Sequence, residues 1–316
     1  MAEVGKDINK AKHLLERGDL VAIPTETVYG LAGNALDIQA VTSIFKAKDR
    51  PEFDPLIVHV SSLEKVKRYC VGIPPKANEL AEAFWPGPLT ILLERKDVIP
   101  DLVTAGLPTV GIRCPNHPLT SQLLKTLDFP LAAPSANPFG YVSPTTPQHV
   151  QDQLGEKIPY ILDGGRCEIG VESTIVGFPD DAGTIYRLGG LDIEEIEKVI
   201  GKVNFQLNIS SNPRAPGQLQ SHYAPGKKLY LGNIDELLAK FRKEDVGILS
   251  FQKDFHRKHQ YILSRNGSLE EAAQHLFSSL RMLDNEPVSV ILAELVPDVG
   301  LGKAINDRLR RAAGAR

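Results

Sequence analysis

The 316-residue sequence predicts an α/β fold in two units: a twisted, mixed-sheet unit over 1–201 and a smaller, parallel, Rossmann-like α/β unit over 229–316, with a linker at 202–228. Three observations predict it. Short apolar runs alternate with amphipathic segments through 1–201, the pattern of helices packed on a mixed sheet. The periodicity lapses over 202–228, where Pro213, Pro216, Gly217, Pro225 and Gly226 punctuate a polar stretch. From 229 onward strand and helix patterns alternate regularly, as a doubly wound unit requires.

The elements follow in order. Residues 7–17 read as an amphipathic helix that Asp7 can cap, with Ile8, Ala11, Leu14 and Leu15 on one face and Gly18 at its end. A buried strand at 20–23 runs into the polar turn 24–30. A second helix starts near Asp37, turns Ile38, Val41, Ile44 and Phe45 inward, delivers Lys48 and Arg50, and is stopped by Pro51. Strand 56–60 comes next, and a helix near 75–84 precedes the rigid turn Trp85-Pro86-Gly87-Pro88. Strands 89–93 and 109–113, helix 118–127, strand 131–133, turn 134–138, strand 160–162 and the strand pair 173–177 and 184–188 complete the first unit. The second reads as strand 229–231, helix 234–243, strands 246–251 and 261–263, helix 269–283, strand 288–292 and helix 301–313. It lacks a Gly-x-Gly-x-x-Gly turn, so its fold class carries no nucleotide-binding claim.

Bulk composition narrows the class. Apolar content of 42% and charged content of 24% describe a globular chain with material for real cores. The net charge is −3, with 23 Lys and Arg against 27 Asp and Glu in 1–228 and 13 against 12 in 229–316. Nothing global therefore suggests a nucleic-acid or membrane-surface binder, and any anion site must be a local concentration of cations. Cys70, Cys114 and Cys167 form no Cys-x-x-Cys pair, which argues against structural zinc and a disulfide scaffold and fits a reducing cytoplasm. The first residues hold no apolar signal core, and the apolar stretches are shorter than a membrane span; a cytoplasmic protein with no membrane partner is expected.

Lys48 and Arg50, ahead of the apolar run 55–60, can form an anion cradle: Arg offers a planar fork, Lys a point charge. The same pair also suits a solvated helix end, where cations complement the macrodipole. Other strand ends carry polar groups. Thr25, Glu26 and Thr27 follow the first strand, as ligand groups or as a capped turn. His59 alone in an apolar strand reads as a hydrogen-bonded core residue. Arg113 closes a strand, and a half-buried Arg wants a carboxylate from protein or ligand. Ser135-Ala136-Asn137 between prolines can bind phosphate or ribose, or simply turn the chain. Glu172-Ser173-Thr174 opens one strand and Arg187 closes another. No P-loop, His-Glu-x-x-His or Gly-x-Ser-x-Gly is present. What remains, four cations with many hydroxyls and few bases, suits a site that binds anions and stabilises phosphoryl charge.

Taken together, Pro24-Thr-Glu-Thr-Val-Tyr-Gly30, Lys48-x-Arg50-Pro51, Pro55-Leu-Ile-Val-His59, Trp85-Pro-Gly-Pro-Leu-Thr90, Ala133-Pro-Ser-Ala-Asn137, Gly170-Val-Glu-Ser-Thr174 and His222-Tyr-Ala-Pro225 resemble the YrdC-like family in its long form, the L-threonylcarbamoyladenylate synthases. The resemblance implies a YrdC-like first domain. It implies synthesis of threonylcarbamoyl-AMP and pyrophosphate from L-threonine, bicarbonate and ATP, with Mg²⁺ on the phosphates. The product would pass to a tRNA threonylcarbamoyltransferase for t⁶A modification, and tRNA binding by this chain would be weak. Lys48 and Arg50 would be catalytic. Arg50, Asp54, Thr109, Ser135, Asn137, Ser143, Arg187 and Gln220 would hold ATP. Thr27, His59, Arg113, Ala133 and Ser173 would hold threonine, with Arg113 on its carboxylate. The linker would be a lid over the cavity. Two places depart from the family pattern: Asp54, where many relatives carry Asn, and the lid around Gln220, where long-form relatives often carry Met, Lys or Tyr and another basic residue, so that Gln220 would either replace a Tyr contact to ATP or leave it lost.

Two other classes compete. A nucleic-acid-binding module would need more than this acidic, aromatic-poor chain offers, and Arg308-Leu309-Arg310-Arg311 reads more simply as a helix C-terminus. A carbamoyltransferase of the hydrogenase-maturation type would carry Cys-rich zinc modules and an acylphosphatase domain, which this chain lacks.

Overall fold

The computed structural model describes residues 1–207, 215, 222–242 and 244–314. Two sheets organise them. The first runs from β1 (Glu3–Gly5), β2 (Val21–Ile23), β3 (Gly30–Asn34), β4 (Ile57–His59), β5 (Leu89–Glu94) and β6 (Thr109–Arg113) to β7 (Leu131–Ala132), β8 (Tyr160–Leu162), β9 (Thr174–Gly177), β10 (Thr184–Arg187) and β11 (Asn204–Phe205). Its order, β1-β8-β2-β3-β7-β4-β6-β5-β9-β10-β11, mixes parallel and antiparallel pairs. The second sheet, β12 (Lys228–Leu231), β13 (Val246–Ser250), β14 (Gln260–Ile262) and β15 (Val290–Ala293), has the order β12-β15-β13-β14 and is parallel throughout. Both match the expected fold class.

The structure adds elements that the sequence reading lacks. Gly30–Asn34 (Gly-Leu-Ala-Gly-Asn) has no β-branched residue, yet it pairs with β2 and β7 because its neighbours fix its register. Helices Pro147–Leu154 and Ile193–Ile200 also stand outside the expected set. Thr146 caps the first by accepting from the His149 N–H.

The C-terminal unit packs onto the first through helix Leu269–Asn285. Its stripe Ala272, Ala273, Leu276, Phe277, Leu280 and Leu283 is fully buried in a cluster that reaches across to Val28, Val142, Val171 and Tyr223. Each large apolar side chain buried this way contributes about 1.5–3 kcal/mol, so this seam outweighs the surface ion pairs beside it. At Gly170 the approach is closest: φ is +83°, and a Cβ would lie 2.5 Å from the Ala273 carbonyl oxygen. Arg281 donates to the Val142 and Ser143 carbonyls, and the Tyr141 hydroxyl donates to Asp284 at 2.6 Å. The second unit is thus fastened to the 141–143 segment.

Candidate active site

Helix Ile38–Lys48 ends where Asp49 adopts left-handed backbone, φ 53°. The Asp49 and Arg50 N–H groups return to the carbonyls of Lys46 and Phe45, so the helix ends at Lys48, three residues before Pro51. This cap turns Lys48 and Arg50 inward, to 1% and 8% exposure. A solvated helix end would keep both charges in water, so that reading fails. Lys48 Nζ donates to the Ser135 carbonyl at 2.6 Å and to the Asn137 carbonyl. It pins the Ser135–Asn137 turn, which Ala136 N–H and Leu31 N–H also tie to the neighbouring hairpin. Arg50 Nη2 donates to the Pro55 carbonyl at 2.8 Å and lies 2.9 Å from Asp54 Oδ2.

β4 and β6 run parallel with His59 opposite Arg113. Ile57 and His59 share a face of β4. With Arg113 they line a cavity of about 50 Å³ together with Thr25, Gly30, Arg50, Ala133, Ser135, Glu172, Arg187, His222 and Tyr223. The site therefore extends over the sheet face rather than only beyond the strand ends. Arg113 Nη2 lies 2.8 Å from Glu26 Oε1. The orientation nevertheless leaves Arg113 Nε and Nη2 and both Glu26 oxygens without a hydrogen bond among the described residues. A buried guanidinium in that state suits an incoming carboxylate.

Of the residues expected from sequence, Arg50, His59, Arg113, Ala133, Ser135 and Arg187 line the cavity. Thr27, Lys48, Asp54, Asn137, Ser143 and Ser173 stand behind it and hold those that do. The Thr27 hydroxyl meets that of Thr25 at 2.8 Å, and Ser143 donates to Glu172 at 2.5 Å. Arg187 donates from Nε and Nη2 to the Ser173 carbonyl at 3.0 and 2.9 Å and from Nη2 to its hydroxyl at 3.0 Å. Thr109 sits at the other end of β6 from Arg113. It lines a second cavity of about 730 Å³ with Leu92, Gly177, Phe178 and Tyr186. A cluster of Ile57, Ile175, Tyr186 and Ala215 has Ile57 on the first cavity and Tyr186 on the second. Gln220 lies outside the described residues, as do 208–214 and the rest of 216–221 in the expected lid. Of that segment, Ala215 is buried in this cluster, and His222 and Tyr223 close the first cavity.

Electrostatics follow from burial. Burial lowers Lys48 well below the ordinary lysine range, and Arg50 beside it adds to the effect. Burial pushes the Asp54 carboxyl up, against the pull of Arg50, Lys48 and Arg187. His59 falls to about 3 through burial and then the Arg113 charge; His222 is also driven well down, by burial and then by Arg50 and Lys48. Both imidazoles are neutral at pH 7, so neither brings a positive charge to the site. The connection after β10 is equally constrained: a Cβ on Gly189 would lie 2.3 Å from the Glu172 carbonyl oxygen. Gly189→Ala should therefore cost about 1–3 kcal/mol of stability. An unchanged thermal midpoint would contradict that close approach.

Sequence reasoning assigned no site role to Glu172, His222, Tyr223 or Arg308, although the first three stand in its motifs; Glu172, His222 and Tyr223 line the cavity. Arg308 adds to an expectation. The basic run at 308–311 does stand at a helix C-terminus, but Arg308 is fully buried and its Nε donates to Glu172 Oε2 at 2.8 Å. Its spacing held the signal. Ala304, Ile305, Arg308, Leu309 and Ala312 form the buried stripe of helix Leu301–Ala313, and a cation on such a stripe demands a partner.

Comparison with known proteins agrees with this geometry. Residues 13–189 match the Sua5/YciO/YrdC family model, described as Telomere recombination, and 191–314 match that of the Threonylcarbamoyl-AMP synthase, C-terminal domain. The threonylcarbamoyl-AMP synthase of Pyrococcus abyssi is 42% identical over 98% of this chain and 94% of its own length. That of Bacillus subtilis is 40% identical over 98% and 93%. The crystal structure of P. abyssi Sua5 complexed with L-threonine superimposes with a TM-score of 0.93 at 40% identity, covering 100% of this chain and 98% of that one. With both halves matched in order and nearly the full length aligned, the chain belongs to the threonylcarbamoyl-AMP synthase family.

Proposed function

We propose that this chain condenses L-threonine and bicarbonate to the N-carboxylate, with loss of water and a proton, and transfers AMP from ATP to it, releasing pyrophosphate. The observation that carries the mechanism is the balance of charge around the cleft. Lys48, Arg50, Arg113, Arg187 and Arg308 face three carboxylates, Glu26, Asp54 and Glu172, all buried. By formal charge cations outnumber anions by two where a polyphosphate and a carboxylate must meet, and an incoming anion favours the charged forms of Lys48 and the arginines. The N-carboxylate is already an anion, so its oxygen attacks the α-phosphorus without a strong protein base, and the α–β phosphoanhydride bond breaks. Arg50 and Arg187 spread the developing charge, Arg113 holds the threonine carboxylate, and Lys48 fixes the Ser135–Asn137 turn against the nucleotide. Thr109 would reach ATP only through the second cavity. In this reading residues 1–201 are the catalytic unit and 229–316 its support, with His222 and Tyr223 closing the cleft between them.

Mg²⁺ would arrive with ATP. Among the described residues there is no group of three or more His, Cys, Asp or Glu that could hold a metal. Asp54, with both oxygens lacking a hydrogen bond among the described residues, is the carboxylate on the phosphate side that could share it. When bound, the ion neutralises phosphate charge. No helix among the described residues is long and apolar enough to cross a membrane, and the three cysteines are free and buried; a reducing cytoplasm suits them. The mixed anhydride product is labile and fits hand-over to a tRNA threonylcarbamoyltransferase. Pyrophosphate release should require threonine, bicarbonate and ATP together, stop with a chelator, and yield threonylcarbamoyl-AMP by mass. Release that ignores threonine would overturn the proposal.

A further inference from the structure

We propose that Arg308, from the C-terminal helix, is a positioning residue for the nucleotide half of the cleft, acting through Glu172 on Ser143 and through the Leu188 carbonyl on Arg187. The inference rests on the function proposed above. The guanidinium is fully buried. Besides its bond to Glu172 Oε2, it donates from Nη2 to the Leu188 carbonyl at 2.8 Å and from Nη1 to Asp307 at 2.7 Å. Its centre lies 4.8 Å from the Tyr223 ring centroid. The other Glu172 oxygen accepts from the Ser143 hydroxyl. Leu188 directly follows Arg187, and Glu172 directly precedes Ser173. One side chain of the C-terminal unit therefore fastens the two strand ends that carry Arg187 and Ser173, and touches the Tyr223 ring above them.

The charge pattern gives the reason. Each cleft carboxylate has its own guanidinium: Glu26 has Arg113 at 2.8 Å, Asp54 has Arg50 at 2.9 Å and Glu172 has Arg308 at 2.8 Å. The first two pairs lie within the catalytic unit; the third exists only because the C-terminal helix docks. Burial alone would raise the Glu172 carboxyl, but Arg308, then Arg187 and the Ser143 hydroxyl, bring it below the ordinary range, so it is ionised. Without Arg308 a buried anion would face Arg187 and compete with phosphate for it. The C-terminal unit thus does more than anchor the cover: it cancels a charge that would otherwise repel ATP.

Steady-state kinetics test this on the full chain, each variant assayed well below its own unfolding midpoint. Arg308→Met should raise KM for ATP about tenfold or more while KM for threonine stays within about threefold. Arg308→Met with Glu172→Gln should return most of that loss, because no unpaired charge remains. Arg308→Lys, which keeps the charge and serves if the Met variant fails to fold, should fall between. An unchanged ATP KM in both single variants overturns the proposal. An equal rise for both substrates that Glu172→Gln does not relieve also overturns it, since that is the signature of undocking. If the wild type itself releases no pyrophosphate with threonine and bicarbonate, the function reading fails instead. Calorimetric ATP binding by the same variants then tests Arg308 on its own.

Discussion

Arg50→Ala is expected to lower threonine-dependent pyrophosphate release by about 10²–10³-fold, the usual cost of removing one preorganised charge-stabilising group. The geometry makes the effect both chemical and structural. The guanidinium is held by the Asp54 and Pro55 carbonyls and paired with a carboxylate that has no exposure. Its removal strands that carboxylate, a further loss of about 3–5 kcal/mol in stability. Arg50→Ala combined with Asp54→Asn separates the two. The double variant should regain much of the thermal stability and none of the turnover. Near-normal turnover in either would remove Arg50 from the phosphate-side role.

Arg113→Ala should weaken L-threonine binding by about 10²-fold or more, read by calorimetry without ATP, because a buried charged partner of a ligand carboxylate typically carries about 2–5 kcal/mol. ATP binding should change far less, since Arg113 stands across the cavity, beside His59 and Glu26. Adding Glu26→Gln should recover fold stability without recovering threonine affinity. Undiminished threonine binding by Arg113→Ala would place the amino acid elsewhere.

Much of the site was legible because its residues break local rules. Lys48 and Arg50 flank a helix end, Arg113 and Arg187 close apolar strands, and Ser135 and Asn137 sit between prolines: each is a polar group where the pattern asks for something else. Asp54, the acidic residue in an anion cradle, proves to be the counter-charge of Arg50. Arg308 was not legible in the same way. Its stripe could be read from helical spacing, but its partner lies 136 residues away. Thr109 could not be placed from sequence either: it stands at the far end of β6 from Arg113, and the strand's length puts the two on different cavities.

By itself the sequence determined the fold class, most of the alternation of elements and the residue types available to the cleft. Periodicity, caps and turn residues act over a few positions, and the motifs name their own residues. Only the tertiary structure decided which charges meet. Strand order brings β4 beside β6 and β5 beside β9, a glycine without room for a Cβ lets the 172–174 and 187–190 segments touch, and a distant helix supplies the third guanidinium. Ion pairs buried this deeply depend on contacts between segments far apart in the chain, and no local pattern encodes them.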